Sequence, residues 1–151
     1  MKRVFKYLTI IALAAFAISC ENGDNNELPN NPVEKECYRG TMKVDQNDGT
    51  YYTQSGVEVD FEILNDKLNF VMYKVKFAAG MPLKLDMVVE GIDYIEVDGH
   101  YTLSGDGIVP YAMGGPFEKF TITELEGAIS SEEMTLRFMC GEHFVEYNAT
   151  K

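Results

Sequence analysis

Cysteine, histidine and carboxylate are the groups through which this 151-residue chain would do chemistry, and their spacing excludes most of it. His100 and His143 stand far apart without a second histidine beside either, and no His-Glu-x-x-His pairing exists to seat zinc. Glu142-His143 would need a third ligand, so no metal site is expected. The run Asp45-Gln46-Asn47-Asp48-Gly49 has the flavour of a calcium loop, but its glycine falls one residue early and the distal glutamate is missing. A hairpin turn accounts for it better. Gly105-Asp106-Gly107 opens no helix, which removes a phosphate cradle. No serine sits in a nucleophile elbow, and no phosphate-binding lysine loop occurs. The 24 carboxylates mostly alternate with apolar residues, as a solvated face does. The expectation is a protein that is not an enzyme and carries no cofactor.

Three cysteines remain: Cys20, Cys37 and Cys140. Cys20 closes a run from Leu8 to Ile18 that only Thr9 interrupts, with Lys2, Arg3 and Lys6 ahead of it and Ala17-Ile18-Ser19 immediately before it. A basic start, a short apolar middle and a small residue before the cut are the parts of a secretory signal. The apolar run is about half of the roughly 20 residues a membrane span requires, so a retained anchor is disfavoured. With cysteine first after the cut, the segment resembles the lipobox of bacterial lipoproteins, although Ala17 stands where many carry leucine. The resemblance implies cleavage after residue 19, acylation of Cys20 and membrane attachment through that lipid. A single acyl chain anchors weakly, and the diacylglycerol plus N-acyl chain of such lipoproteins would meet the need for two.

Residues 20–36 are rich in asparagine, proline and acids and read as a disordered tether spanning about 20–25 Å. Glu21, Asp24 and Glu27 after the cysteine resemble the surface-export signal of Bacteroidetes lipoproteins. That implies the outer face of the outer membrane, with the periplasmic face as the alternative. The full chain carries a net charge of −11, and losing Lys2, Arg3 and Lys6 with the leader takes it to −14. Such a body repels nucleic acid and anionic headgroups, so neither is an expected direct partner.

Residues 37–151 suffice for one domain. Their signal is alternation with period two. Val57, Val59, Phe61 and Ile63 alternate with Glu58, Asp60 and Glu62, and Leu83, Leu85, Met87 and Val89 with Lys84, Asp86, Val88 and Glu90. Tyr38, Gly40, Met42 and Val44 form another such row, and Met134, Leu136, Phe138 and Cys140 a fourth. Turn residues at Asp48-Gly49, Asn65-Asp66, Asp98-Gly99 and Ser130-Ser131 separate them. Eight strands are expected, near 38–46, 51–64, 67–77, 83–91, 94–104, 118–129, 133–140 and 143–149. Even spacing and short connections point to an all-β, antiparallel up-and-down barrel, soluble because its outward rows are charged. Eight strands enclose an interior that side chains fill or that holds one small ligand. In such a barrel Cys37 and Cys140 fall at opposite rims, about 23 Å apart along a strand, which argues against a bridge between them.

The pattern resembles the calycin-like barrel lipoproteins of Bacteroidetes, of lipocalin and streptavidin style. The likeness is carried by Tyr38-Arg39-Gly40-Thr41-Met42, Val75-Lys76-Phe77-Ala78 with Met81-Pro82, Gly105 to Tyr111 with Gly114-Gly115-Pro116-Phe117, and Phe138-Met139-Cys140-Gly141. Lipocalins place tryptophan two residues after a first-strand glycine, where this chain has Met42 and no tryptophan anywhere. The resemblance therefore implies fold rather than lipocalin ligand chemistry. Residues 105–117 hold four glycines and two prolines among Ile108, Val109, Tyr111, Met113 and Phe117. This apolar segment either covers a ligand site or folds back to plug the barrel. It should share a mouth with the other apolar connection, that of Phe77, Met81 and Pro82. The expected candidate mouth is thus Phe77, Met81, Tyr111, Met113 and Phe117, offered to a small apolar or amphipathic ligand. The alternative is a solid barrel that engages an envelope protein, as an inhibitor-like module does. For the anchor, Cys20→Ala should leave the domain folded and move it from the membrane fraction to the soluble fraction in a high-salt wash. Persistence of the variant in membranes would refute lipid anchoring.

Overall fold

The computed structural model describes residues 36–151, so the leader, Cys20 and the tether up to residue 35 lie outside the described residues. The strands are β1 (Glu36–Asp45), β2 (Tyr51–Leu64), β3 (Lys67–Val75), β4 (Leu85–Val97), β5 (His100–Gly105), β6 (Tyr111–Ala112), β7 (Gly115–Pro116), β8 (Ile122–Ile129), β9 (Glu133–Cys140) and β10 (His143–Thr150). A single 3₁₀ turn, Glu118–Phe120, precedes β8. Eight long strands pair antiparallel in the order β3-β2-β1-β10-β9-β8-β5-β4, and β3 pairs with β4 to close the ring. This is the up-and-down barrel that the alternation calls for. No helix among the described residues is long and apolar enough to cross a membrane.

Alternate residues point inward and meet in one continuous core. Tyr38, Met42 and Val44 of β1, Leu68, Phe70 and Met72 of β3, and Met134, Leu136 and Phe138 of β9 are all buried. Their neighbours Arg39, Thr41, Lys43, Thr135 and Arg137 are exposed. Tyr147 lies wholly inside and places its hydroxyl 2.9 Å from the Val57 carbonyl and 3.2 Å from that of Tyr38, so the one polar atom of a large apolar ring is satisfied.

Two-residue turns with left-handed backbone connect several pairs: Asn65-Asp66 (φ 53° and 59°) and Asp98-Gly99 (φ 52° and 76°). Both match the hand of turn that twisted hairpins need. The division expected between residues 91 and 94 is not there. β4 runs through it, and the hairpin falls at Asp98-Gly99, a turn that the sequence marks but that the expected strand 94–104 ran across. Gly91 (φ 81°) is the reason: it marks a bulge that shifts the alternation by one residue. Leu85, Met87 and Val89 face inward before it, and Ile92 resumes inward after it, with Tyr94 next in that row. Leu83, expected in the buried row, precedes β4 and is exposed. Residues 118–121, expected as strand, form the 3₁₀ turn and its exit.

Cys140 is a free, buried thiol at the end of β9. It sits by the rim where β1 ends, because Cys140 opposes His143 and Val44 opposes Val145, whereas Cys37 lies at the start of β1. Gly40 allows β1 and β10 their close approach, since a Cβ there would overlap the Asn148 carbonyl and the Ala149 backbone. Gly80 has open space and no such constraint. Gly40→Ala should therefore lower unfolding free energy by more than about 2 kcal/mol, because backbone must shift to admit the methyl. Gly80→Ala should be within about 1 kcal/mol of the wild type. Urea unfolding of both variants checks this, and equal effects would contradict the packing described.

Candidate functional site

The barrel has two rims. Glu36, the β2–β3 and β4–β5 turns, residues 130–132 and Lys151 share one, which we call proximal because the chain enters there. The connections 46–50, 76–84, 106–121 and 141–142 share the distal rim. Both apolar connections therefore border the same mouth.

Residues 106–117 are neither a free lid nor a loose plug; they complete the wall. β5 ends at Gly105, opposite Leu125, and leaves the first residues of β8 without their strand neighbour. Ile108 supplies it, exchanging two backbone bonds with Ile122 at 2.9 and 2.7 Å. On the other side Tyr111 of β6 pairs with Val88, at a stretch of β4 that β5 does not reach. β6 and β7 form a small hairpin, with Pro110 accepting the Phe117 N–H at 2.8 Å. Its turn is Met113-Gly114 (φ 54° and 83°). Gly105 makes room for this, as a Cβ there would stand 2.7 Å from the Ile108 Cδ1.

The five expected mouth residues separate into two groups. Phe77 is fully buried, and Phe117 and Met81 are partly buried. The Phe77 ring centroid lies 5.1 Å from that of Phe120, which lies 4.9 Å from that of Phe117. The Met81 sulfur accepts the Phe77 N–H at 3.1 Å, and Gln46 Nε2 donates to the Phe77 carbonyl at 3.2 Å. This is a closed aromatic floor under the mouth. Tyr111 and Met113 instead project into solvent, 48% and 74% exposed, joined at the same rim by Leu83 at 63%. Phe120 is the residue that sequence reasoning missed; standing in a 3₁₀ turn, it has no alternating neighbours to reveal it.

The proximal end is closed in the same way by Tyr38, Phe61, Tyr101 and Tyr94, with successive centroids 6.1, 5.6 and 5.8 Å apart. Between the two aromatic layers the interior holds Phe70, Phe138, Met42, Met72 and Met87, each almost wholly inaccessible to solvent. Several concavities that described residues line lie on the outer wall. One, of about 240 Å³, is bordered by Arg39, Gln54, Glu58, Tyr73, Lys74 and Lys84.

Polar groups near the mouth hydrogen-bond to backbone carbonyls. His143 Nδ1 lies 2.8 Å from the Asp45 carbonyl, to which a protonated Nδ1 donates. Asn47 Nδ2 donates to the Glu142 carbonyl at 2.8 Å, tying two distal turns together. Burial pushes the Cys140 thiol up to about 12, and its Sγ lies 3.7 Å from the Phe120 carbonyl. Among the described residues no group of three or more histidines, cysteines and carboxylates is placed to hold a metal ion. Comparison of the chain with protein-family models, curated proteins and solved structures finds no match.

Because folding raises the Cys140 pKa above its ordinary 9.0, the neutral thiol contributes stability in full below pH 9, and that contribution disappears as pH climbs toward 12. Burial also raises the buried tyrosines Tyr38 and Tyr147 above 10.0, so their contribution fades at higher pH still. Urea midpoints should hold level from pH 7 to about 8.5 and fall beyond it, and Cys140→Ala should delay the fall to about pH 10. A midpoint that rises through this window would contradict the sign.

Proposed function

We propose that this chain is a non-enzymatic interaction module of the bacterial cell envelope, lipid-anchored through Cys20, whose solid barrel holds a distal apolar surface toward a protein partner. The observation that carries the reading is Met113. An unbranched apolar side chain projects 74% exposed from a left-handed turn position, where a non-glycine residue costs about 1 kcal/mol. Strain and exposed apolar surface together cost stability, and folds retain such features where a surface is used. Tyr111 and Leu83 extend the surface, and tyrosine and methionine are enriched at interfaces.

The anchor reading rests on the lipobox-like leader, and it fits the polarity of the barrel. The chain enters at the proximal rim, opposite the rim that carries Met113. An outer wall bearing Arg39, Lys43, Glu58, Glu133 and Arg137 suits water rather than the apolar band of a membrane-spanning barrel. The acidic tether favours the outer face of the outer membrane, and the resemblance to Bacteroidetes barrel lipoproteins supports the same compartment.

A small apolar or amphipathic ligand at the same rim is the second reading, favoured by the partly buried Phe117 and Met81 beside the exposed patch. Photocrosslinking separates the two. A benzophenone side chain at Met113, in lipidated protein in its envelope, should give a discrete protein adduct that the same group at Thr135 on the barrel side does not. Tyr111→Ser should weaken that adduct several-fold. Absence of a Met113-specific adduct, with native mass spectrometry recovering a stoichiometric small molecule, would replace the partner reading by the ligand reading.

A further inference from the structure

The barrel is closed, yet among the described residues one stretch of sheet edge is unpaired. β3 meets β4 only as far as Leu68 opposite Ile92, because the chain turns back at Asn65-Asp66. Beyond that point β4 continues through Asp93–Val97, paired with β5 alone. The β4–β5 hairpin therefore stands proud of the proximal rim, its β3-side edge unpaired among the described residues.

The phase of that edge follows from the turn. A two-residue turn places Val97 and His100 in a hydrogen-bonded pair, so Ile95 with Thr102 and Asp93 with Ser104 are bonded as well. The N–H and C=O groups of Tyr94 and Glu96 then point the other way, out of the open edge. Among the described residues no backbone group answers them. Unpaired edges recruit strands, and the charges along such an edge select which strand can add to it.

We propose that Asp93–Val97 is a docking edge for an extended, cationic segment of another protein, added as an extra strand against β4. Side chains settle the chemistry of the occupant. On the outer face stand Ile95 and Val97, 69% and 62% exposed, with Leu64 at 56% on the neighbouring β2–β3 hairpin. An incoming strand lays alternate apolar side chains along them. On the opposite face Glu96 meets the residues between. The proximal ends of the hairpins framing the edge carry Glu62, Asp66, Asp93, Glu96 and Asp98 against one lysine, Lys67, which already pairs with Asp93. The complement is a strand in which lysine or arginine alternates with a β-branched residue.

A second copy of this chain is a poor occupant. Pairing β4 with itself brings the two acidic sets together on strongly acidic bodies, and like charges across a ladder destabilise it. The edge also lies at the opposite rim from Met113, so this proposal and the distal-surface reading can fail separately.

The test uses the domain from residue 36 onward within the mature chain and three acetylated, amidated peptides. The first alternates lysine with valine over five residues, the second replaces lysine by glutamate, and the third is the first with alternate backbone amides methylated. Titration followed by amide NMR should move Tyr94, Glu96 and their β5 partners with the first peptide. The other two should bind at least about tenfold more weakly, for want of charge match or of backbone donors. Glu96→Lys should exchange the preference between the lysine and glutamate peptides. Equal binding of the methylated peptide, shifts centred elsewhere, no shift at about 2 mM peptide, or dimerisation through this edge would each overturn the proposal.

Discussion

Closure of the sheet between β3 and β4 is the constraint on which the remaining structure depends. Leu68, Phe70 and Met72 meet Ile92, Val89 and Met87 across that seam, joining strands whose other edges are already committed to β2 and β5. Once the ring closes, every inward residue of eight strands faces a volume of fixed size. That volume must be filled to the density of a protein interior, or the missing contacts go unrecovered. Without tryptophan, the chain fills it with phenylalanine, methionine and leucine in the middle and an aromatic layer at each end.

Closing the ring also imposes costs that bulges absorb. Lys74 and Glu124 take left-handed conformations where the β3–β4 and β8–β9 registers slip. A carboxylate answers each: Asp86 accepts the Lys74 N–H and Asp106 the Glu124 N–H. Gly91 does the same work in β4 without a side chain in the way. Where β5 is too short, Ile108 and Tyr111 patch the wall, and the hairpin they hold carries Met113 outward. Completing the barrel thus fixes where this hairpin stands, and its turn holds Met113 out in a left-handed conformation. The open edge at the other rim arises likewise, from a β4–β5 hairpin longer than the β3 strand beside it.

Much of the barrel was legible because a half-buried strand writes its burial into alternate residues, and turns with positive φ favour asparagine, aspartate and glycine. The rows Val57–Ile63 and Met134–Cys140 lie where alternation places them. Gly91 misled for a physical reason. A bulge and a strand break both interrupt alternation, and only the pairing of Ile92 with Leu68 tells them apart. Phe120 was invisible because a single 3₁₀ turn has no period to repeat. The role of residues 106–117 was invisible because it depends on Ile122 and Val88, partners brought near only by the fold.

By itself the sequence determined the strand faces, the hairpin chemistry and the acidic exterior, all of them properties of residues near one another in the chain. Tertiary structure decided which strands close the ring, that both ends are sealed by aromatic rings, and that Tyr111 and Met113 face solvent while Phe77 does not. The division follows from range. Alternation and turn propensity are local free energies, whereas filling a closed volume is settled by all eight strands together.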